Sequence, residues 1–418
     1  MSQPILQVLV GFQTTVNFGQ PFQLDDAVYG KLDTGTLGGI QFADLTTMVQ
    51  AVNINRGRSR QLQEFNSGTA TVTFWNKSRV LDPLNTASPY WNTTGNTTGI
   101  VPRLPIQILA NGILIYSGVI QDWNVDYDAA NNDIVYATCA DQFTVLSSAI
   151  LADHTTTQQA TGARIEEVLN YSEVMYQGPK QIGTGSSTLG GTAASANFSV
   201  SQGTTALNYL QTVTTSEQGY LFVAADGTLT FKGRTEVLNQ PANATFSGSG
   251  GIPYQTLQNE FGDELLYNVI VTESPAGGPF TAQDSNSIAQ YQAQTYSLTS
   301  LLNASTTEVT ELGQYLLGKY KQPVLRFTGL STQLVALSQT NQDICLNLDL
   351  TDVCTVVKHF AVGTPTSSTQ TVIVSGVTHS ITPGSHIVAY TFESTDSNQY
   401  LTLDDPIFGI LDENLLAF

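Results

Sequence analysis

Positive charge is scarce in this 418-residue chain: 15 Lys and Arg stand against 34 Asp and Glu, a formal net charge of −19. A protein that holds nucleic acid without regard to sequence needs a basic face to displace counterions. The chain as a whole would repel a phosphate polymer, which excludes general adhesion to DNA but not passing contact. Cysteine is also rare. Cys139, Cys345 and Cys354 are odd in number and fit no zinc spacing. Cys139 (in IVYATCAD) and Cys354 (in DVCTVV) sit in strand-like runs and read as buried, reduced thiols. No apolar run reaches the ~20 residues of a membrane span, so no membrane insertion is expected. The opening MSQPILQVLVGF lacks a basic region and a long apolar core, so no secretion signal is expected. The N-x-S/T sequons at Asn92, Asn96, Asn197, Asn243 and Asn303 then reflect an Asn- and Thr-rich composition.

Catalytic constellations are missing as well. His154, His359, His379 and His386 include no i, i+4 zinc pair; His379 and His386 flank Pro383-Gly384 and read as turn or surface residues. There is no G-x-S-x-G elbow and no P-loop, since the Gly-rich GTGSS at Gly183 lacks its lysine. Asp126, Asp128 and Asp133 crowd one turn without the Gly and Glu of an EF-hand, and read as Asx residues of a hairpin loop. No carboxylate pair presents itself as acid and base. The expectation is therefore no catalytic residue, no cofactor, no metal and no enzyme activity.

What is present is strand signal. Hydrophobic residues are 41% and charged residues 12%, a folded chain with the length of about two to four domains. Ala70, Val72 and Phe74 alternate with threonines, and Asn111-Gly112 and Asp226-Gly227 mark hairpins. Three amphipathic helices are expected: Arg164 to Tyr171, Thr204 to Glu217, and Ser305 to Tyr320, the last opening on a Ser305/Glu308 capping box. GTGSSTLGGTAASAN (Gly183 to Asn197) and SGSGG (Ser247 to Gly251) read as loops or linkers. The expectation is a mainly β, α+β chain: a first β-barrel or sandwich domain over 1–150, an α+β domain over 151–245, a second β-barrel domain with one helix over 246–400, and a C-terminal segment over 401–418.

The two β-rich regions look duplicated. ILIYSGVIQDWNVDYDAANNDIVYATCAD (Ile113 to Asp141) and TVIVSGVTHSITPGSHIVAYTFES (Thr371 to Ser394) share the order strand, Ser-Gly-Val, strand, polar turn, Ile-Val strand. Each follows a further apolar strand, PIQIL and DVCTVV. The tripeptide alone is weak; the order of elements carries the argument. Two like domains per chain let three chains close a pseudo-sixfold ring.

The little positive charge there is gathers in RGRSRQLQEFNSGTATVTFWNKSRVLDPLN, which holds Arg56, Arg58, Arg60, Lys77 and Arg79. DNA contact, ordinary solvated charge and a protein contact are the alternatives for such a cluster. The expectation is a subunit or neighbour contact, because arginine bonds carboxylates bidentately and an acidic protein that oligomerises needs cations where copies meet.

This same stretch resembles minor tail proteins of siphophages of actinobacteria and related tail modules, in which an RGR…L…F…G-x-A-x-V-x-F-x-N-x-x-R…D-P pattern recurs. It is met here by Arg56-Gly57-Arg58, Leu62, Phe65, Gly68, Ala70, Val72, Phe74, Asn76, Arg79 and Asp82-Pro83. Pro105-Ile106-Gln107-Ile108, the GTTALNYLQTVTTSEQGYLFVAADGTLTFKGR stretch, VSGVTHSITPGSHIVAYTFES and LDDPIFGILD are similar to later segments of that family; NTTGNTTG and the Gly183 stretch are not. The resemblance implies a virion structural protein of the distal tail, a tip hub that is a homotrimer with two barrels per chain. It implies as partners the distal tail protein, the tape measure protein and tail fibre or tip proteins, with DNA only in transit. A hexameric distal tail ring, a tail-associated cell-wall hydrolase and an adhesin are the competing readings.

Overall fold

The computed structural model describes residues 2–12, 41–93, 95–130, 132–238 and 240–395. The expected segment 401–418, with its LDDPIFGILD, lies outside the described residues. The first region supplies β1 (Leu6–Phe12), β2 (Gln41–Asp44), β3 (Val49–Gly57), β4 (Asn66–Trp75), the short pair β5 (Trp91–Asn92) and β6 (Thr97–Thr98), β7 (Pro105–Ala110), β8 (Ile113–Asp126) and β9 (Ile134–Ala140). The middle carries helices α1 (Phe143–Ser148), α2 (Thr161–Leu169), α3 (Ala206–Glu217) and α4 (Arg234–Leu238). Its strands are β10 (Gln159–Ala160), β11 (Lys180–Ile182), β12 (Thr188–Leu189), β13 (Tyr220–Val223) and β14 (Leu229–Lys232). The last region has β15 (Ala244–Ser247), β16 (Thr256–Glu260), β17 (Val269–Ser274), β18 (Gly277–Gln283), α5 (Ser285–Tyr291), β19 (Thr295–Leu298) and α6 (Thr306–Tyr320). It ends with β20 (Arg326–Gln333), α7 (Gln339–Asn347), β21 (Val353–His359), β22 (Ser367–Thr382) and β23 (Ser385–Ser394).

The chain is mainly β with a few helices, as the alternation of small and branched residues requires. In β4, Ala70, Val72 and Phe74 are buried and the intervening threonines are not, the period of a strand with one wet face. The Asn111-Gly112 turn has both residues at positive φ, 53° and 77°, which joins β7 to β8 with the twist a tight hairpin needs. The Ser305 side chain accepts from the Glu308 amide at 3.2 Å at the start of α6, so that helix begins where its capping residues place it. Helices α1, α4 and α5 are too short to show a clear period in the sequence, and α7, as long as α2, buries only Gln342, Cys345 and Leu346 and carries a weaker apolar stripe.

The barrels expected from the sequence are not closed among the described residues. Instead both β-rich regions feed one thirteen-stranded sheet, ordered β16-β20-β23-β22-β3-β4-β9-β8-β7-β1-β2, with β15 and β21 branching from β22. Within it one six-strand order occurs twice: β3-β4-β9-β8-β7-β1, and β16-β20-β23-β22-β21-β15. The two runs differ at the last pair, antiparallel for β7 and β1 but parallel for β21 and β15.

The equivalence extends to single hydrogen bonds. The Arg103 amide donates to the Ile120 carbonyl and the Ile120 amide to Leu104; in the other run the Thr351 amide donates to Val374 and the Val374 amide to Asp352. Arg103 and Thr351 both take a left-handed conformation, φ 67° and 72°. A β-bulge follows at once in each, between Ile120 and Asp122 and between Val374 and Gly376. This register sets Ile120 against Val374. The Ser-Gly-Val tripeptides at Ser117 and Ser375 are four residues out of that register, so the tripeptide is a coincidence and the strand order is the duplication.

His379 and His386 do face each other across the β22–β23 hairpin, but inside it. Their rings approach at 3.1 Å, and the residues are 2% and 1% exposed. The expectation of surface histidines fails because both fall on the inward positions of their strands. Burial holds the His379 ring well below the usual histidine range, helped by His386 and Arg56, and pushes His386 down to about 4. With depressed folded values, the unfolded chain takes up protons first. Their contribution is therefore intact above the ordinary value near 6.5 and is lost as pH falls from there toward 4. In urea titrations between pH 7 and pH 4, the His386→Gln variant is expected to lose less stability than the wild type, by on the order of 2 kcal/mol. Equal slopes would refute the buried-neutral assignment.

Candidate functional site

The joint between the two halves of the sheet lies on β22. That strand is sixteen residues long and divides one of its edges. Ile373 to Ser367 face β21, whereas Gly376 to Ile381 face β3, in register from Gly376 with Gly57 to Ile381 with Val52. The handover falls at the bulge, where the Arg58 amide donates to the Ser375 carbonyl at 2.8 Å. Gly57 makes this approach possible. Its φ is +101°, and a Cβ there would lie 2.3 Å from the Ser375 carbonyl oxygen. Gly57→Ala is expected to destabilise by at least ~2 kcal/mol through strain and backbone displacement; a denaturation midpoint equal to the wild type's would rule out a tight joint.

The three clustered arginines converge on this joint, each meeting a carboxylate from the other half of the chain. Arg56, 4% exposed, reaches Asp349 at 2.6 Å. The second Asp349 oxygen accepts from the Ala225 amide at 2.7 Å, which ties in the β13–β14 hairpin. Arg58 pairs with Glu393 on β23. Its guanidinium lies over the Phe65 ring at 4.7 Å and the Tyr220 ring at 5.3 Å. Glu393 also accepts from the Tyr220 hydroxyl at 3.0 Å and from the Gln61 amide at 3.4 Å, with the Lys319 ammonium at 3.9 Å. Burial alone would lift the Glu393 carboxyl; the Arg58 and Lys319 charges and the hydrogen bonds outweigh it and hold the group below its ordinary range. Burial likewise works against the Arg58 charge, and Glu393 more than restores it. Arg60 pairs with Glu264 at 3.1 Å at the surface.

The five basic residues expected at a subunit or neighbour contact thus divide. Arg56 and Arg58 have side chains only 3% and 10% exposed; the fold spends them inside the chain, and little of their surface is left for a neighbour. Arg60 is exposed. Lys77 lies over the Trp75 ring at 5.4 Å, and Arg79 pairs with Asp82 at 2.6 Å while half exposed. The partners Asp349, Glu393 and Glu264 could not be singled out in the sequence, because each lies 200 residues or more from its arginine and belongs to no local pattern.

The exposed positions of the eight strands from β16 to β8 form the second feature of the site. They include Asn53, Asn55, Thr69, Asp122, Asn124, Asp126, Thr256, Gln258, Glu260, Thr378 and Ser380, and none is Lys or Arg. These strand positions offer hydroxyls, amides and a few carboxylates; Arg60 and Arg326 line a cavity with Thr256, Gln258 and Glu260 at one end of the face.

No family model matches the chain, and no curated protein matches its sequence. Solved structures do match in fold. The tail protein from Neisseria meningitidis MC58 superposes with a TM-score of 0.58 over 93% of this chain and 96% of its own, at 8% identity. The 43 kDa tail protein of prophage MuSo2 from Shewanella oneidensis superposes with a TM-score of 0.54 over 94% of this chain and 97% of its own, at 11% identity. The chain has the fold of these phage tail proteins along nearly its whole length.

Proposed function

We propose that the chain is a structural, non-enzymatic protein of a phage tail. Copies form a homotrimeric hub at the distal tip that adapts a sixfold tube to a threefold end and lets DNA pass. The observation that carries this reading is the repeated six-strand run, fused edge to edge into one sheet. Two like halves per chain give three chains six like positions. The exposed strand positions, none of them Lys or Arg, support DNA transit, since like charge and neutral hydroxyls oppose adhesion. The halves correspond to the regions 1–150 and 246–400, with 151–245 as the side domain. Arg60, Lys77 and Arg79 are the proposed contacts to a further copy or to the neighbouring distal tail, tape measure and fibre or tip proteins.

The test is a density map of the assembled tail. Three copies around the axis at the distal end, with the β3–β22 sheet toward the channel, is the expected result. Six copies would favour a distal tail ring, and a basic channel wall would overturn the transit reading. The purified protein is expected to leave cell walls intact, and neutralising Arg60, Lys77 and Arg79 should weaken assembly without changing DNA affinity.

A further inference from the structure

Building on the ring reading, we propose that β16 of one copy adds to the outer half of β8 in the next, antiparallel, as β3 adds to β22 within the chain. The handover on β22 has an unfilled counterpart. On β8, β7 is paired up to Val119, and the last bonds on that side are those of Ile120 with Arg103 and Leu104. After the bulge, Asp122 to Asp126 pair with β9, the Trp123 indole also donates to the Val101 carbonyl at 3.0 Å, and no strand covers their other edge among the described residues. In the equivalent place on β22 that edge is covered by β3. The strand standing in the second run where β3 stands in the first is β16, which pairs with β20 and has no partner on its far side among the described residues. Each copy therefore presents one open acceptor edge and one open donor strand. An uncapped edge is a site for pairing with another chain, and closure removes it.

The register follows from the internal example. Asn53 opposes Ser380 within the chain. Through their cross-strand neighbours on β4, β20, β9 and β23, Asn53 corresponds to Gln258 and Ser380 to Asp126. Gln258 of one copy then opposes Asp126 of the next. The same register brings Phe261, 68% exposed at the end of β16, beside Trp123. Charge at this joint is mixed. Within the chain the incoming strand brings Arg56 and Arg58 to carboxylates. Here Glu260 comes to lie between Asp122 and Asp126, and the segment leaving β16 brings Asp263 toward Arg103, which is exposed, sits at the handover, and has no ion-pair partner among the described residues.

The test is a full-length chain carrying Asp126→Cys and Gln258→Cys, both exposed strand positions; the native cysteines are all buried. Opposed residues in an antiparallel pair have Cα atoms about 4.5–5.5 Å apart, within disulfide reach. Mild oxidation is expected to give covalent dimers and a ladder ending at the trimer on a non-reducing gel, with neither single variant doing so. The size of the unmodified protein, from light scattering, is measured alongside. An oligomer without cross-linking would overturn the β8–β16 pairing and leave the ring reading standing. A protein that stays monomeric at every concentration and does not cross-link would overturn both.

Discussion

Replacing Glu393 by Gln is expected to cost about 3–5 kcal/mol of unfolding free energy, among the largest single losses this chain can show. The change keeps shape and volume but leaves the Arg58 guanidinium facing a neutral amide in a site where the carboxyl side chain is 4% exposed. The pair itself gains little over apolar packing, because removing two charges from water offsets most of their attraction. Breaking one side leaves an uncompensated buried charge, which is the costly state. A double variant, Arg58→Met with Glu393→Leu, should therefore recover part of the loss, the methionine filling the space between Phe65 and Tyr220; the recovery is partial because Lys319 and the Tyr220 hydroxyl lose the carboxylate too. Urea titrations of the three proteins decide the matter. A loss below ~1 kcal/mol for Glu393→Gln, or a double variant worse than the single, would show that the joint is not held by a desolvated pair. Because the folded Glu393 value is depressed, its contribution is complete above the ordinary carboxylate value near 4.3 and fades as pH falls through the folded value.

This joint was half legible in the sequence. The clustering of Arg56, Arg58 and Arg60 points in the sequence to a contact with another subunit or a neighbour, whereas all three meet carboxylates of their own chain; the alternation of their positions places them at a strand end. What the contact was with depended on strand pairing between residues more than 300 apart, such as Gly57 with Gly376. Local pattern does not encode such pairing. The duplication shows the same limit. The order of strands was readable because each strand declares itself by alternation. The alignment was not, because the bulges after Ile120 and Val374 and the left-handed Arg103 and Thr351 are backbone features carried by dissimilar side chains. The closed barrels were overread for a related reason: alternation tells which face of a strand is buried and says nothing of which edge its sheet continues from.

Replacing Glu217 by Ala is the second large expected loss, about 3–5 kcal/mol, and it acts on the Gly183 to Asn197 stretch that the sequence presents as a linker. That stretch is anchored at its middle and at Ser186 and Ser187: Leu189, Gly190 and Gly191 are buried, and Glu217 holds the two serines. The Glu217 carboxylate is fully buried at the end of α3. It accepts from the Ser186 amide at 2.9 Å, the Ser186 hydroxyl at 2.7 Å, the Ser187 amide at 2.6 Å and the Thr161 hydroxyl at 3.0 Å. The glycines serve close approach: a Cβ on Gly162 would meet the Gly183 carbonyl oxygen at 1.9 Å, and one on Gly190 the Phe198 ring at 2.3 Å. A carboxylate at a helix C-terminus meets the negative end of the dipole, so these four donors must hold it there. Burial raises its proton affinity and the Ser186 and Ser187 bonds more than reverse that, leaving the group below its ordinary range. Alanine would take the acceptor from two backbone amides at a part-buried site, each loss of a bond to a charged acceptor costing about 1.5–3 kcal/mol. Glu217→Gln keeps one acceptor oxygen and should fall between the two. Limited proteolysis reads the local effect: cleavage within 183–197 is expected in Glu217→Ala and absent in the wild type. If both proteins are cut there at equal rates, the stretch is the linker its composition suggests and Glu217 does not hold it.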